Sequence, residues 1–194
     1  GAPAFVEADV EAIASQIAGV RVVAPEVRTG VTAVAGARNW TTSVVGTTIE
    51  YLDAGNWRLA AGRGFEPGEE RAGAAVCLIG ATVRRELFGA NAVPLGESLR
   101  VRQMSCEVIG LLASKGQAAM GLDQDDVVVL PLRTVQRRIT GSTRVNTLLV
   151  SMRDGSDPAR VTASLRQLLR ERRKLATDEE DNFNILDTRQ IADT

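Results

Sequence analysis

The residues after Gly141 carry the most regular pattern in this chain, and they constrain its fold more than any other segment. Val145 to Met152 is rich in aliphatic residues and predicts a strand. Asp157-Pro158 supplies a helix N-cap followed by proline at the first helical position, and leucines at helical spacing follow. Phe183 to Leu186 predicts a second strand. Strand, helix and strand in this order are typical of a βαβ-like or split unit, so we expect an α/β (α+β) protein.

The first 47 residues predict a helix, a strand and a hairpin. Asp9 is expected to be the helix N-cap, because its carboxylate can accept hydrogen bonds from the free N–H groups of the first turn. Val20 to Val23 is expected to form a strand in a different sheet from the strands of the middle segment. Val31 to Ala35 and Thr41 to Thr47 are β-branched runs separated by a turn signal, which predicts a hairpin.

The segment from Thr48 to Gly141 has a different texture, with short elements and frequent glycines. Gly62 to Glu70 is glycine-rich and charged and is expected to be a loop, and so is Ala113 to Leu122. The other elements expected here are a helical turn at Ile49–Ala54, strands at Ala74–Ile79 and Val127–Leu130, helices at Ala81–Leu87 and Leu132–Ile139, and a hairpin of Ser98–Gln103 with Cys106–Leu112.

Composition excludes several classes of function. The chain has no histidine, which removes Ser-His-Asp and Cys-His catalysis and every zinc motif that contains histidine. Its 23 basic and 24 acidic residues nearly balance and only 4% of residues are aromatic, so we expect no nucleic-acid partner. The longest run without a charged residue, Ala72 to Val83, has twelve residues, short of the ~20 that cross a bilayer.

Two polar segments are candidates for ligand binding, and a structural role is favoured for both. Gly62-Arg63-Gly64 matches neither the G-x-G-x-x-G nor the G-x-x-x-x-G-K-[ST] phosphate loop, so it predicts an ordinary loop. Asp123, Asp125 and Asp126 could be calcium ligands, but valines stand where an EF-hand loop needs a polar ligand and a glycine. An acidic turn before a strand is therefore favoured. No catalytic, cofactor-binding or metal-binding residue is assigned. A small hydrolase that uses carboxylates, with Asp123 or Asp125 as candidates, stays as a further alternative.

Cys77 and Cys106 lie in two predicted strands that end alike, and two interpretations stay open. They form either a disulfide or a pair of small buried hydrophobic residues. A bridge would close a loop of about 30 residues and would stabilise the fold by roughly 3–4 kcal/mol in the chain-entropy description.

The last helix carries a stripe of arginines on one face, Arg166, Arg170 and Arg173. Such a stripe is either a solvated face, which is favoured, or a docking surface for a partner. The acidic run that follows, Asp178 to Asp181, is expected to be a solvated loop.

A series of short motifs resembles a known family. Trp57-Arg58-Leu59-Ala60-Ala61-Gly62-Arg63-Gly64-Phe65 is similar to the family's W-x-L-x-x-G-R-x-F signature. The motifs that follow, in order, are Leu78-Ile79-Gly80, Leu87-Phe88-Gly89, Pro94-Leu95-Gly96, Val108-Ile109-Gly110-Leu111-Leu112, Lys115-Gly116-Gln117, Asp123-Gln124-Asp125-Asp126 and Val129-Leu130-Pro131-Leu132. Each is short, but the ordered series, from about Asp9 to Ile191, resembles the extracytoplasmic core domain of MacB-type ABC transporter permeases, in the MacB/FtsX-like family.

The resemblance implies a fold of two lobes. A porter-like lobe would be built from both chain ends, residues 1–47 and 142–194, and a small α/β lobe would be inserted between them as residues 48–141. The domain would lie in the periplasm, tethered to the inner membrane by transmembrane helices that flank it. In that oxidising compartment a Cys77–Cys106 disulfide is favoured. One departure is that almost nothing precedes Asp9, where the family normally has a strand.

The resemblance also implies a function. The domain would transmit ATP-driven conformational change to a periplasmic adaptor protein and an outer-membrane channel, within a transporter expected to be a homodimer. The ATPase would lie elsewhere in the transporter, and the family offers no catalytic residues to this domain. The alternative is a lipoprotein-releasing or FtsX-like permease, whose domain would bind a carrier or a cell-wall hydrolase. Lys115-Gly116-Gln117, followed by Asp123-Gln124-Asp125-Asp126, favours the MacB type.

Overall fold

The computed structural model describes residues 3–116 and 121–187, and all elements below lie within these ranges. The helices are α1 Glu7–Gln16, α2 Glu50–Ala54, α3 Pro67–Ala72, α4 Ala81–Leu87, α5 Leu132–Val135 and α6 Pro158–Arg172. The strands are β1 Val20–Ala35, β2 Arg38–Thr47, β3 Leu59–Gly62, β4 Val76–Ile79, β5 Ser98–Val101, β6 Met104–Leu112, β7 Val127–Pro131 and β8 Thr147–Met152. A π-helical turn, Gln136–Thr140, continues α5. Among these described helices, none combines the length and the apolar character needed to span a membrane.

Six strands close into a ring. β1 and β2 form an antiparallel hairpin, in which Ala35 pairs with Arg38 beside the turn. β2 runs parallel to β7, β7 antiparallel to β4, β4 parallel to β6, and β6 antiparallel to β5. β5 returns to β1 at Ala33 and Val34, so the order β1-β2-β7-β4-β6-β5 is closed, while β3 pairs with the end of β6. Closure satisfies the backbone hydrogen bonds that open sheet edges would expose.

β1 joins this ring to the chain ends. Its first part, Val20 to Glu26, pairs antiparallel with β8, and its second part, from Val27 onward, belongs to the ring. Val20–Val23 therefore lies in the same eight-stranded sheet as the strands of Cys77 and Cys106. The expectation of separate sheets is wrong, because one uninterrupted strand pairs with both sets of partners.

The buried side chains form three clusters. One draws on every strand of the ring, through Val27, Val44, Cys77, Leu99, Cys106 and Val128, and extends to α4 and α5. A second lies on the opposite face of β4, β6 and β7 and is covered by Tyr51 of α2 and by Phe65. The third packs α1 and α6 against the first part of β1, through Ile13, Val23, Leu165, Leu169 and Phe183.

The division into a porter-like lobe and an inserted lobe of residues 48–141 stays a prediction. The strand pairing bears on its boundary, because residues 27–47 pair with β5 and β7 of the middle segment. A division that keeps the ring whole would fall within β1, near Pro25, rather than after Thr47. Residues 1–2 and 188–194 of the expected porter-like lobe, and Gln117 of the Lys115-Gly116-Gln117 motif, lie outside the described residues.

Several local predictions are confirmed, and two are wrong. Both predicted hairpins form, and Asp157 caps α6, its Oδ1 accepting from the Ala159 N–H at 3.0 Å. Asp9, however, is not an N-cap. α1 begins at Glu7, and Asp9 lies in its first turn, where its Oδ2 accepts from the Val6 N–H at 2.9 Å. Residues 62–70 are not entirely loop, because Pro67, pre-organised for a first helical position, begins α3.

The second strand of the expected C-terminal unit is also absent. Phe183 to Leu186 is not in a strand; instead the Phe183 side chain is buried against α6 in the third cluster. The apolar side chains of this segment, Phe183 and Ile185, pack individually against the third cluster. Such packing does not require the backbone to pair with a strand. Within the described residues the strand–helix–strand unit therefore stops after α6.

Candidate functional site

A cleft of about 520 Å³ separates α1 from α3 and α5. Its lining includes Val22 and Pro25 of β1, and Thr47 and Thr48, where β2 leads into α2. Thr47 Oγ1 donates to the carbonyl oxygen of Pro25 at 2.6 Å, beside the position at which β1 changes partners. The cleft thus lies between the ring and the third core cluster, which is built largely from the two ends of the chain.

Charged side chains stand on both walls of the cleft. Glu7 and Glu11 belong to α1, and Arg71 and Arg133 belong to α3 and α5 on the opposite side. Within residues 3–116 and 121–187, none of these four side chains takes part in a salt bridge. Glu50 and Glu70 also line the cleft on the ring side, so that wall carries acidic and basic side chains together.

The ring side of the cleft also contains a partly buried polar cluster. Glu70 Oε1 accepts from the Ile49 N–H at 2.6 Å and so holds the start of α2. Burial raises the pKa of the Glu70 carboxyl, that hydrogen bond partly offsets the increase, and the nearby Glu50 adds to it. The buried Thr48 Oγ1 has no hydrogen-bond partner among the described residues. Among the described residues, the junction between β2 and α2 is therefore the place where a buried hydroxyl group lacks a hydrogen bond.

The three aspartates considered as calcium ligands accept hydrogen bonds from their own chain. Asp123 Oδ2 accepts from Thr82 Oγ1 at 2.5 Å, and Asp126 Oδ1 accepts from Trp40 Nε1 at 2.9 Å and Thr42 Oγ1 at 2.6 Å. These partners lie on α4 and β2. The carboxylates thus fasten the loop before β7 to the ring, as the acidic-turn interpretation predicts.

Asp125 is the most enclosed of the three, at 5% exposure. It accepts from Ser114 Oγ at 2.6 Å, from the Lys115 N–H at 2.7 Å and from the Gly116 N–H at 3.0 Å. Burial raises the pKa of the Asp125 carboxyl, but these hydrogen bonds together outweigh it, so the pKa is lowered. A carboxylate surrounded by donors in this way is a structural anchor for the loop.

Lys115 connects the same loop to the Trp57–Phe65 motif. Its Nζ donates to the carbonyl oxygen of Gly55 and lies 4.3 Å from the centroid of the Trp57 ring. Burial lowers the pKa of the Lys115 ammonium, and the charge of Asp125 opposes that effect. Motifs that are far apart in the sequence therefore meet at one place in the fold.

Three glycines of these motifs stand where two backbones approach closely. A Cβ on Gly62 would lie 2.2 Å from the carbonyl oxygen of Ile109, and one on Gly110 would lie 2.5 Å from that of Arg63. A Cβ on Gly80 would lie 2.1 Å from the carbonyl oxygen of Asp125. The Gly62-Arg63-Gly64 segment is thus packed against β6, consistent with the loop interpretation rather than a phosphate site.

Cys77 of β4 and Cys106 of β6 lie on paired strands and are fully enclosed by the first core cluster. Their Cα atoms are 5.8 Å apart and their sulfur atoms adjoin in disulfide geometry. This spacing lies within the range that a disulfide spans without backbone movement. The redox state in the cell stays a prediction.

The arginine stripe of α6 is occupied by the chain itself. Arg166 Nε and Arg170 Nη1 donate to the carboxylate of Asp181 at 2.9 and 2.6 Å. The hydrogen bond from Arg170 is the main cause that lowers the pKa of Asp181. Arg166 and the run Asp178 to Asp181 are exposed, as expected for a solvated face and a solvated acidic loop. The prediction did not include the contacts with Asp181, which form because the loop after α6 folds back onto the helix.

Sequence reasoning missed the cleft and the folding back of this loop. Both arise from contacts between residues on different elements, for which a single sequence carries no periodic signal. The opposite charges of Glu11 and Arg71, for example, are 60 residues apart.

Comparison with known proteins identifies the family. The MacB-like periplasmic core domain matches residues 1–168. The chain is 36% identical over 165 residues to the "Macrolide export ATP-binding/permease protein MacB" of Rhodopirellula baltica, covering 84% of this chain and 24% of that protein. It is 33% identical over 184 residues to the protein of the same name from Bdellovibrio bacteriovorus, covering 94% of this chain and 28% of that protein. The chain thus spans about a quarter of the length of these curated relatives.

Solved structures share the fold. The periplasmic region of MacB from Actinobacillus actinomycetemcomitans superimposes with a TM-score of 0.80 at 22% identity, covering 97% of this chain and 81% of that one. The extracellular domain of the noncanonic ABC-type transporter YknZ from Gram-positive bacteria gives 0.72 at 18% identity, covering 88% and 85%. The family match over most of the sequence and the common fold together lead to one conclusion: the chain belongs to the MacB-like periplasmic core domain family and is the periplasmic domain of a MacB-type ABC transporter permease.

Proposed function

We propose that this domain transmits ATP-driven conformational change from the membrane part of its transporter to a periplasmic adaptor protein and an outer-membrane channel. The observation that carries the proposal is the cleft between α1 and the pair α3 and α5, with one buried cluster in the ring and another between α1, α6 and the first part of β1. A change in the width of this cleft would alter the orientation of the ring relative to the chain ends.

The construction of the two sides supports such a motion. The ring is closed by strand pairing on every side, which favours its movement as one body. Its connections to the chain ends include the continuous β1 near Pro25 and the Thr147–Met152 strand beside it. Hinges are typically a few residues at element ends that absorb backbone rotation, and Gly141, which follows the π-helical turn and leads toward β8, is such a position.

The rest of the proposal concerns the whole transporter. Its nucleotide hydrolysis would occur in another part of the protein, it would act as a homodimer, and flanking transmembrane helices would tether this domain. The relatives are named for macrolide export, and this is the proposed activity of that larger protein. The same name favours it over a lipoprotein-releasing or FtsX-like permease. The engagement of Asp123, Asp125 and Asp126 by hydrogen bonds within the chain argues against the hydrolase alternative.

A cross-link across the cleft tests the proposal in the full-length transporter. Cysteines replace Glu11 on α1 and Arg71 on α3, and bismaleimides of increasing length join them. We expect the shortest effective linker to abolish export while the cytoplasmic part continues to hydrolyse ATP at least partly, because the cleft can no longer change width.

The matched control joins Arg71→Cys to Arg133→Cys, which lie together on the ring side, where Arg133 Nη1 donates to the carbonyl oxygen of Arg71 at 3.0 Å. This cross-link uses the same chemistry but does not bridge the cleft, so export should persist. Full export from the cross-linked Glu11→Cys and Arg71→Cys transporter would contradict the proposal.

A further inference from the structure

Arg173, at the end of α6, contacts two segments that are far apart in the sequence. Its Nη2 donates to the carbonyl oxygen of Pro3 at 2.8 Å. Its Nη1 donates to the carbonyl oxygen of Asn182 at 3.2 Å and to Asn182 Oδ1 at 3.0 Å. One guanidinium thus holds the segment before α1 and the segment after α6 at the same time.

Two aromatic rings complete this contact. The guanidinium carbon of Arg173 lies 4.7 Å from the centroid of the Phe5 ring and 5.7 Å from that of Phe183. Phe183 is buried, and the Phe5 N–H donates to the carbonyl oxygen of Val145 at 2.8 Å, just before β8. The planar guanidinium suits both roles, because it can stack on aromatic rings while its edge donates several hydrogen bonds.

The neighbouring arginines of α6 have different partners. Arg170 contacts Asp181 and the carbonyl oxygens of Ala176 and Glu179, all after α6. Arg172 Nε donates to Asp9 Oδ1 at 2.6 Å, which ties α6 to α1. Among these three arginines, only Arg173 bridges residues 3–5 and residues 182–183.

We infer that Arg173 is a coupling clamp, which passes a displacement of the segment entering the domain to the segment leaving it and to α6. The inference rests on the proposed function, in which the membrane-spanning parts of the transporter lie beyond these two segments. Without the clamp, either segment could move while the rest of the domain stays in place, and force from the membrane would be lost in local motion.

The first test is amide hydrogen exchange on this chain. Arg173→Lys keeps the charge but loses the planar set of donors, and Arg170→Ala is the matched control. In Arg173→Lys we expect exchange to become roughly tenfold faster at Phe5 and Val145 and also across residues 182–187, since local opening exposes these amides. In Arg170→Ala the increase should be confined to residues 176–182. Unchanged exchange at Phe5 and Val145 in Arg173→Lys would overturn the clamp.

The second test is export by the full-length transporter carrying the same substitutions. Arg173→Lys should lower export several-fold while ATP hydrolysis persists, and Arg170→Ala should lower it less. If exchange increases at both segments but export is unchanged, the coupling role is refuted. In that case the cleft cross-link separates the two hypotheses. If the cross-link blocks export, only the clamp is refuted. If the cross-link leaves export unchanged, the proposed function is refuted as well.

Discussion

Replacement of Gly80 by alanine isolates the energetic role of one close backbone approach. Gly80 connects β4 to α4 with φ −76° and ψ 166°, a conformation that alanine adopts without strain. A Cβ there would lie 2.1 Å from the carbonyl oxygen of Asp125 and 3.2 Å from Val127 Cγ1. Any loss of stability would therefore come from this steric contact rather than from the dihedral angles.

The contact cannot be relieved by rotation of a side chain. Relief needs a shift of at least about 1.3 Å between the backbones of Gly80 and Asp125, to reach the spacing of ordinary van der Waals contacts. That shift would disturb the hydrogen bonds from the Gly80 N–H to the Val127 carbonyl oxygen, 2.9 Å, and from the Thr82 N–H to the Asp125 carbonyl oxygen, 3.2 Å. Asp125 is also held through its carboxylate by Ser114.

Overpacking of this kind typically costs 1–3 kcal/mol, with roughly 0.4–1 kcal/mol regained because alanine restricts the unfolded chain. We therefore expect Gly80→Ala to lower the free energy of unfolding by about 1–2 kcal/mol, measured by urea denaturation. In a domain of this size each kcal/mol corresponds to roughly 2–4 °C, so Tm should fall by about 2–8 °C.

Gly30→Ala is the matched control. Gly30 lies in β1 opposite Ser43, and a Cβ there would meet no atom within 4 Å. Its Tm should stay unchanged or rise slightly, because only the effect on the unfolded chain remains. If Gly80→Ala proves as stable as Gly30→Ala, the approach of β4 to the loop before β7 is not rigid, and the steric argument is refuted.

Two further predictions concern buried polar and sulfur groups. Asp125→Asn places an amide N–H donor opposite the donors of Ser114 and Lys115, and it should lower the free energy of unfolding at neutral pH by about 1–3 kcal/mol, measured by urea denaturation. The control, Asp178→Asn at an exposed position, should change the free energy of unfolding little. Because the pKa of Asp125 is lowered in the folded state, the contribution of its carboxylate to the free energy of unfolding is present at neutral pH and is lost as the pH falls below about 4. The difference in stability between wild type and Asp125→Asn should therefore shrink at acidic pH. A difference that stays constant with pH would contradict this. Protein from an oxidising compartment should resist alkylation at Cys77 and Cys106 unless reduced, as mass spectrometry would show, and two alkylated thiols would disprove the bridge.

Local structure follows closely from local sequence in this chain. The bounds of α4 agree with prediction, as do the two hairpins and the Asp157-Pro158 start of α6. Each depends on signals within a few residues: a capping carboxylate, a proline at the first helical position, or β-branched runs on both sides of a turn. The family, too, could be identified from the order of short motifs, and three glycines within them stand where a Cβ would clash with a neighbouring backbone.

The tertiary structure alone determined how these elements meet. The closure of the ring depends on β5 returning to β1, and the burial of Asp125 depends on donors from Ser114, Lys115 and Gly116. Phe183 lies in a segment that predicts a strand from its sequence. In the structure it belongs to no strand, and its side chain packs against α6 and near Arg173. Strand partners, clefts and clamps are set by contacts between residues far apart in the chain. The free energy of such contacts depends on which surfaces come together, and periodicity along one sequence describes each surface but not its partner.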